Sequence, residues 1–153
     1  MGKNKRLATE LARAGRVGLD SSVLIYHLEG LAPYAELTET LFSLLAQGKF
    51  TAVISTISLT ELLVKPFAED NETAITACER FLHELPHTTI VAPHSAIARE
   101  AARLRAYYKL RTPDALVLGT ALAEEAKAFL TNDADLKRVH KEGLAILLLE
   151  DYL

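Results

Sequence analysis

Residues 16–27 read Arg-Val-Gly-Leu-Asp-Ser-Ser-Val-Leu-Ile-Tyr-His. The first four form a short apolar run of strand type. Asp20 follows at once, and the pattern then turns helical over residues 22–27. The same unit recurs along the chain. Further strand-like runs cover residues 51–55, 88–92, 128–131 and 145–148. Between and after them, apolar residues fall at helical spacing over 34–46, 59–64, 72–85, 95–110, 113–127 and 136–141. In the segment 34–46 the repeat is Leu37, Leu41, then Leu44 or Leu45. A weaker helix is expected over 5–14. Strands that alternate with helices imply a parallel sheet covered on both faces. Strand runs that are apolar at nearly every position fit that burial. The fold class expected is a three-layer α/β/α sandwich on a mostly parallel five-stranded sheet.

The chain has 153 residues, half of them hydrophobic, so one domain with a sizeable core is expected over 1–153, with 1–15 as an N-terminal helical extension. Cys78 is the single cysteine. An internal disulfide is therefore excluded, and with it a disulfide-stapled secreted fold. No apolar stretch follows Lys3, Lys5 and Arg6, so no signal peptide is read there. Apolar runs such as residues 143–149 are far shorter than the roughly 20 residues needed to span a bilayer. A cytoplasmic protein without membrane partners is expected. The net charge is -3, so nucleic acid would have to be held by local patches rather than by the whole field.

In a parallel sheet all strands end at one edge, and ligands bind in the crevice beyond it. Asp20 directly follows the first strand. Glu61 lies just past the second, at a helix start, and Asp133 just past the fourth. Asp114 begins the helix leading into that fourth strand. From Asp114 to residue 127 the helix descends roughly 20 Å at about 1.5 Å per residue. The strand then climbs back about 17 Å at about 3.3 Å per residue. Asp114 and Asp133 therefore finish at similar height. Whether the four stand side by side depends on strand order, which residue spacing does not fix.

Each acid also has a purely structural role available to it. Ser58-x-x-Glu61 matches a capping box. Thr112, Pro113 and Asp114 read as cap, first-turn proline and dipole-matched acid. Asp20 could cap the helix after it, and Asp133 and Asp135 could both serve the turn into Leu136. Those roles do not require all four acids to meet. Four ionised carboxylates brought together need a counter-charge, and all-oxygen ligands suit Mg²⁺ or Mn²⁺ rather than zinc. Such a site activates water and neutralises charge on a phosphoryl group, so phosphodiester hydrolysis is the reaction that fits best.

Four segments resemble the motifs of PIN-domain nucleases, specifically the toxin ribonucleases of the VapBC type. They are Gly18-Leu-Asp-Ser-Ser-Val-Leu-Ile-Tyr26, Ile54-Ser-Thr-Ile-Ser-Leu-Thr-Glu-Leu62, Leu110-Arg-Thr-Pro-Asp-Ala-Leu116 and Thr131-Asn-Asp-Ala-Asp-Leu136. The likeness runs from about residue 16 to the end of the chain. It implies Asp20, Glu61, Asp114 and Asp133 as metal-binding and catalytic acids, with Ser22, Thr131 and Asp135 as supporting residues. It also implies Mg²⁺ or Mn²⁺, endonucleolytic cleavage of RNA, a homodimer and often an antitoxin partner. About fifteen residues precede the first strand, where relatives of this kind begin close to it, and Leu136 stands where an aromatic residue is common. A PIN nuclease of RNA processing and a non-catalytic dimerising module are the alternatives.

His83-Glu-Leu-Pro-His87 spells the zinc-protease motif, but Pro86 should stop the helix near Leu85 and separate the two histidines. Basic residues crowd 99–111 (Arg99, Arg103, Arg105, Lys109 and Arg111), with Tyr107 and Tyr108 interleaved. Arg111, Lys109 and Arg105 are the candidates for RNA phosphates, and exposed tyrosines could stack on bases. A solvated helix face accounts for most of such a run equally well. A mean hydropathy of +0.13, with Tyr34, Phe42, Tyr107 and Tyr108 as interface side chains, points to self-association.

Overall fold

A computed structural model describes residues 2–153. In chain order the elements are α1 (Gly2–Ala14), β1 (Arg16–Leu19), α2 (Ser21–Glu29), α3 (Ala35–Ala46), β2 (Thr51–Ser55), α4 (Thr56–Ala68) and α5 (Glu72–Glu84). There follow β3 (Thr88–Val91), α6 (Ser95–Tyr108), α7 (Thr112–Ala123), β4 (Ala128–Thr131) and β5 (Ala145–Leu148). The five strands pair in the order β3-β2-β1-β4-β5, every pair parallel. This is the α/β/α sandwich that the alternation of strands and helices predicts.

Strand residues alternate between two cores. Val17, Leu19, Ala128 and Leu130 face α1, α2 and α3, together with Leu62 of α4 and Leu82 of α5. Phe129 and Ile146 face α6, α7 and the segment after β4. Burial on both faces holds for β1 and β4 but not for the edges. No residue of β3 is fully buried, and in β5 only Leu148 is. On β1, Gly18 faces the second core, where an added Cβ would sit 2.8 Å from Phe129 Cδ1 and 2.9 Å from Ala121 Cβ. Both neighbours are buried, so neither can yield cheaply. Gly18→Ala should therefore cost about 1–3 kcal/mol by overpacking. Urea unfolding checks this, and a variant as stable as the parent would show that the core can move aside.

Several element boundaries differ from the sequence reading. Residues 134–142 form a 3-10 helix (Ala134–Glu142) rather than an α-helix. The helix expected over 59–64 runs from Thr56 to Ala68, because Ser55 at the end of β2 caps it by accepting from Ile57 N. Ser58 therefore lies inside α4, wholly buried, and does not cap it. Pro66 in the last turn forfeits one amide donor but is itself buried. Pro86 acts as expected: α5 ends at Glu84, and Leu85 is already extended.

The helix expected over 5–14 is longer and firmly packed. Leu7 and Leu11, one turn apart, are fully buried. The Arg6 guanidinium lies 4.7 Å over the Tyr152 ring and donates to Asp151 O at 2.6 Å. Lys3 donates to Leu153 O, and the Tyr152 hydroxyl to Glu10. These contacts fasten α1 to the C-terminal residues. Three of the four aromatic residues expected at an interface have other work. Phe42 packs on His27 and Phe81, Tyr34 stacks on Tyr26, and the Tyr108 hydroxyl donates to Glu142. Tyr107 is exposed, as are Val64 and Phe67 of α4.

Candidate active site

The strand order supplies the lateral placement that residue spacing left open. Connections from β1 lead outward through β2 to β3, and the chain then returns to lay β4 on the other flank of β1. A crevice opens at such a switch point, beyond the carboxyl ends of the strands. Asp20 ends β1 there, with Asp133 just past β4 on one side and α4, which carries Glu61, following β2 on the other.

Register fixes the first contact. Leu19 pairs with Leu130, and Asp20 N donates to Leu130 O at 3.0 Å, so Thr131 comes alongside Asp20. The fully buried Thr131 hydroxyl donates to Asp20 Oδ2 at 2.6 Å and accepts from Asp133 N at 3.1 Å. Asp20 Oδ1 accepts from Ser21 N at 2.8 Å and caps α2. Asp133 Oδ1 accepts from Asp135 N at 3.0 Å. The capping roles of Asp20 and Asp133 are therefore real, and both residues lie at the carboxyl ends of their strands.

Asp114 sits in the first turn of α7, with a side chain only 18% exposed, and accepts from Arg111 Nε at 3.1 Å. The helix begins at Thr112, and Arg111 precedes it without a side-chain cap. Thr112 is thus not the cap that the sequence suggests.

Asp20 and Glu61 both respond to neighbouring acids. Burial pushes the Asp20 carboxyl above its usual range, and the charges of Asp114 and Asp133 add to that push. The bonds from Thr131 and Ser21 N act in opposition. Glu61 is more open, yet partial burial raises it too. Asp20 and Asp114 contribute to that rise, while the Ser21 hydroxyl and Arg111 oppose it. Among the described residues, however, no three Asp, Glu, His or Cys side chains stand close enough together to enclose a metal ion as they are. The donor set itself fits a hard cation: it is all oxygen, and its central member is over-enclosed for a charged group.

Of the supporting residues, Thr131 touches Asp20 directly. Asp135 contributes a backbone amide, and the residue is exposed. Ser22 Oγ is buried without a hydrogen-bond partner among the described residues, so it does not orient Asp20 here. Sequence reasoning missed Asn132. Its Nδ2 donates to the hydroxyls of Tyr34 (3.0 Å) and Tyr26 (3.3 Å), and its Oδ1 accepts from Glu150 N at 3.2 Å. These bonds hold the turn that carries Asp133. The only local signal is an amide residue inside Thr131-Asn-Asp133.

Of the basic run, Arg103 is bound by Glu100 and by Glu142, the latter at 2.5 Å. Arg105 donates to Leu110 O and to Thr112 Oγ1, both at 2.9 Å. Lys109 is exposed at the end of α6 in the left-handed conformation.

A family model described as the PIN domain matches residues 17–142. No curated protein matches the chain. Solved structures similar in fold include VapBC2 from Rickettsia felis, bound to a DNA fragment from its promoter. That match has 21% identity and a TM-score of 0.68, covering 86% of this chain and 96% of that one. A toxin-antitoxin complex from Klebsiella pneumoniae shows 24% identity and a TM-score of 0.60, covering 84% and 95%. FitAcB from Neisseria gonorrhoeae shows 19% identity and a TM-score of 0.66, covering 88% and 98%.

Proposed function

The chain belongs to the PIN-domain family, and from that premise we propose that it is a Mg²⁺- or Mn²⁺-dependent endoribonuclease, the toxin of a VapBC-type pair. The observation that carries this reading is geometric: one buried hydroxyl, Thr131, joins Asp20 to the Asp133 turn at the carboxyl ends of β1 and β4, the switch point of the sheet. A bound divalent cation would neutralise the acids, lower the pKa of a water and offset charge on the phosphoryl oxygens. Asp20, Glu61, Asp114 and Asp133 would hold it. Thr131 fixes Asp20 through its hydroxyl and the Asp133 turn through its lone pair. Asn132 anchors that turn to Tyr26, Tyr34 and the C-terminal residues. In the hydrolysis a water oxygen bonds to phosphorus, the bond to the leaving ribose oxygen breaks, and that oxygen takes up a proton. Arg111, which contacts Asp114, and Lys109 and Arg105, which precede it in the chain, would take the RNA phosphates. Arg105 is the weakest of the three, because its guanidinium already serves the backbone.

An antitoxin segment would find an apolar groove of about 360 Å³ between α2, α4 and α5, lined by Ile25, Leu28, Leu62 and Ala77 and reaching Glu61. Val64 and Phe67, three residues apart on α4 and both more than half exposed, are the side chains we assign to a homodimer contact. No described helix is long and apolar enough to cross a membrane.

Incubation with single-stranded RNA tests the reading. Cleavage should stop in excess chelator and return with Mg²⁺ or Mn²⁺. Undiminished cleavage in chelator would contradict the metal-dependent reaction, and intact RNA under every condition would contradict the nuclease.

A further inference from the structure

Arg111 stands apart from every other arginine near the crevice. It precedes α7 in extended conformation and does not cap the helix. Its side chain is 75% exposed, while Asp114, its partner, is only 18% exposed. The guanidinium therefore leans over the mouth of the site from the solvent side. A single nitrogen, Nε, is engaged, at 3.1 Å from Asp114 Oδ2. Neither Nη group has a hydrogen-bond partner among the described residues. The charge of Arg111 is also felt at Glu61. Arg103 differs, since both its Nη groups are committed to Glu100 and Glu142, and Arg105 differs because its Nε and Nη1 are held by Leu110 O and Thr112 Oγ1.

We propose that Arg111 is the phosphate-gripping residue of this site: its free Nη pair takes an RNA phosphate beside Asp114, and its Nε contact serves as counter-ion to Asp114 until cation and RNA arrive. This inference rests on the endoribonuclease reading. Three physical points support it. The Arg111 end of the pair is open to water and makes a single contact, and a bound cation would replace it at Asp114, so Arg111 can leave when the site fills. A planar guanidinium with two adjacent free donors matches two phosphate oxygens, which a lysine ammonium does not. The net charge of -3 and the acids of the crevice repel RNA, so a cation at the rim is needed where the backbone approaches.

The test separates the two readings. Binding of a fluorescent single-stranded RNA is followed against NaCl concentration in the Asp20→Asn background, where cleavage is blocked. Arg111→Ala should flatten the plot of log affinity against log salt by about 0.7, the increment of one single-strand phosphate contact. Lys49→Ala, which removes an exposed charge ahead of β2 at the opposite edge of the sheet, should leave the slope unchanged. In the otherwise unaltered chain, Arg111→Ala should lower kcat/KM for RNA about 10- to 100-fold, in the range seen for lost supporting groups. Arg111→Lys should keep the slope and recover only part of the rate. If the parent cuts RNA while Arg111→Ala changes neither slope nor kcat/KM, Arg111 is a surface ion pair and the inference falls alone. If the parent neither binds nor cuts RNA, the nuclease reading falls and takes the inference with it.

Discussion

In metal-free buffer at neutral pH, Asp20→Asn should melt at a higher temperature than the parent, and with Mg²⁺ it should cleave RNA more than about a hundredfold more slowly. The two effects have one cause. Burial and the charges of Asp114 and Asp133 hold the Asp20 carboxyl above its ordinary value of 3.8. A group whose pKa is raised on folding contributes stability that is complete below its unfolded value and lost as pH rises through the folded one. At neutral pH the ionised Asp20 therefore works against the metal-free fold. Asparagine keeps the size and the capping oxygen for Ser21 N, reverses the Thr131 contact so that its amide donates to Thr131 Oγ1, and removes the charge, which is the larger effect. The gain in melting temperature should shrink as pH falls through the raised folded value, where the parent carboxyl takes up a proton as well. Activity moves the other way, because a proposed cation ligand has lost its charge. Loss of a residue that merely supports a ligand costs about 10–100-fold, and loss of a ligand should exceed that. Scanning calorimetry at two pH values, beside an RNA cleavage assay, reads both. A variant that melts lower and cleaves as fast per folded molecule would leave Asp20 only its capping role.

Thr131→Val should lower stability by about 1–3 kcal/mol and cleavage by about 10–100-fold. Valine has the same shape, so the cavity contribution is small, and the loss is confined to the hydroxyl. That hydroxyl donates to Asp20 Oδ2 at 2.6 Å and accepts from Asp133 N at 3.1 Å in a fully buried position. Both partners lose a bond that solvent does not replace at Thr131. Asp20 also loses an interaction that favours its ionised form, which weakens it as a ligand. Thr131→Ser keeps the hydroxyl and should restore most of the rate. Urea unfolding and initial cleavage rates measure the two effects. Parent-like values for the valine variant in both assays would remove Thr131 from the site.

The sheet was legible because strand runs and helical repeats alternate with little ambiguity from residue 16 onward. The height of each acid along the sheet followed from residue counting. Their lateral adjacency did not, since a return of β4 to the far flank of β1 leaves no local mark in the chain. Where two local signals competed, the outcome depended on packing. Ser58-x-x-Glu61 has the form of a capping box, but Ser55 stands three residues earlier at a strand end and takes the cap, leaving Ser58 buried inside α4. The basic run over 99–111 looked uniform. Arg103 is committed by a long-range partner, Glu142, 39 residues away, and Arg105 by the turn that follows α6. Asn132 was invisible for the same reason, since Tyr26 and Tyr34 lie 106 and 98 residues away.

The most direct measurement is the anomalous scattering of crystals grown with Mn²⁺. A peak is expected in the crevice at the carboxyl ends of β1 and β4, with oxygens of Asp20 and Asp133 and of Asp114 or Glu61 in its coordination sphere. That peak should vanish from Asp20→Asn crystals grown in the same way. A Mn²⁺ peak bound elsewhere with the crevice empty, or one in the crevice that persists unchanged in Asp20→Asn, would contradict a metal site built on these acids.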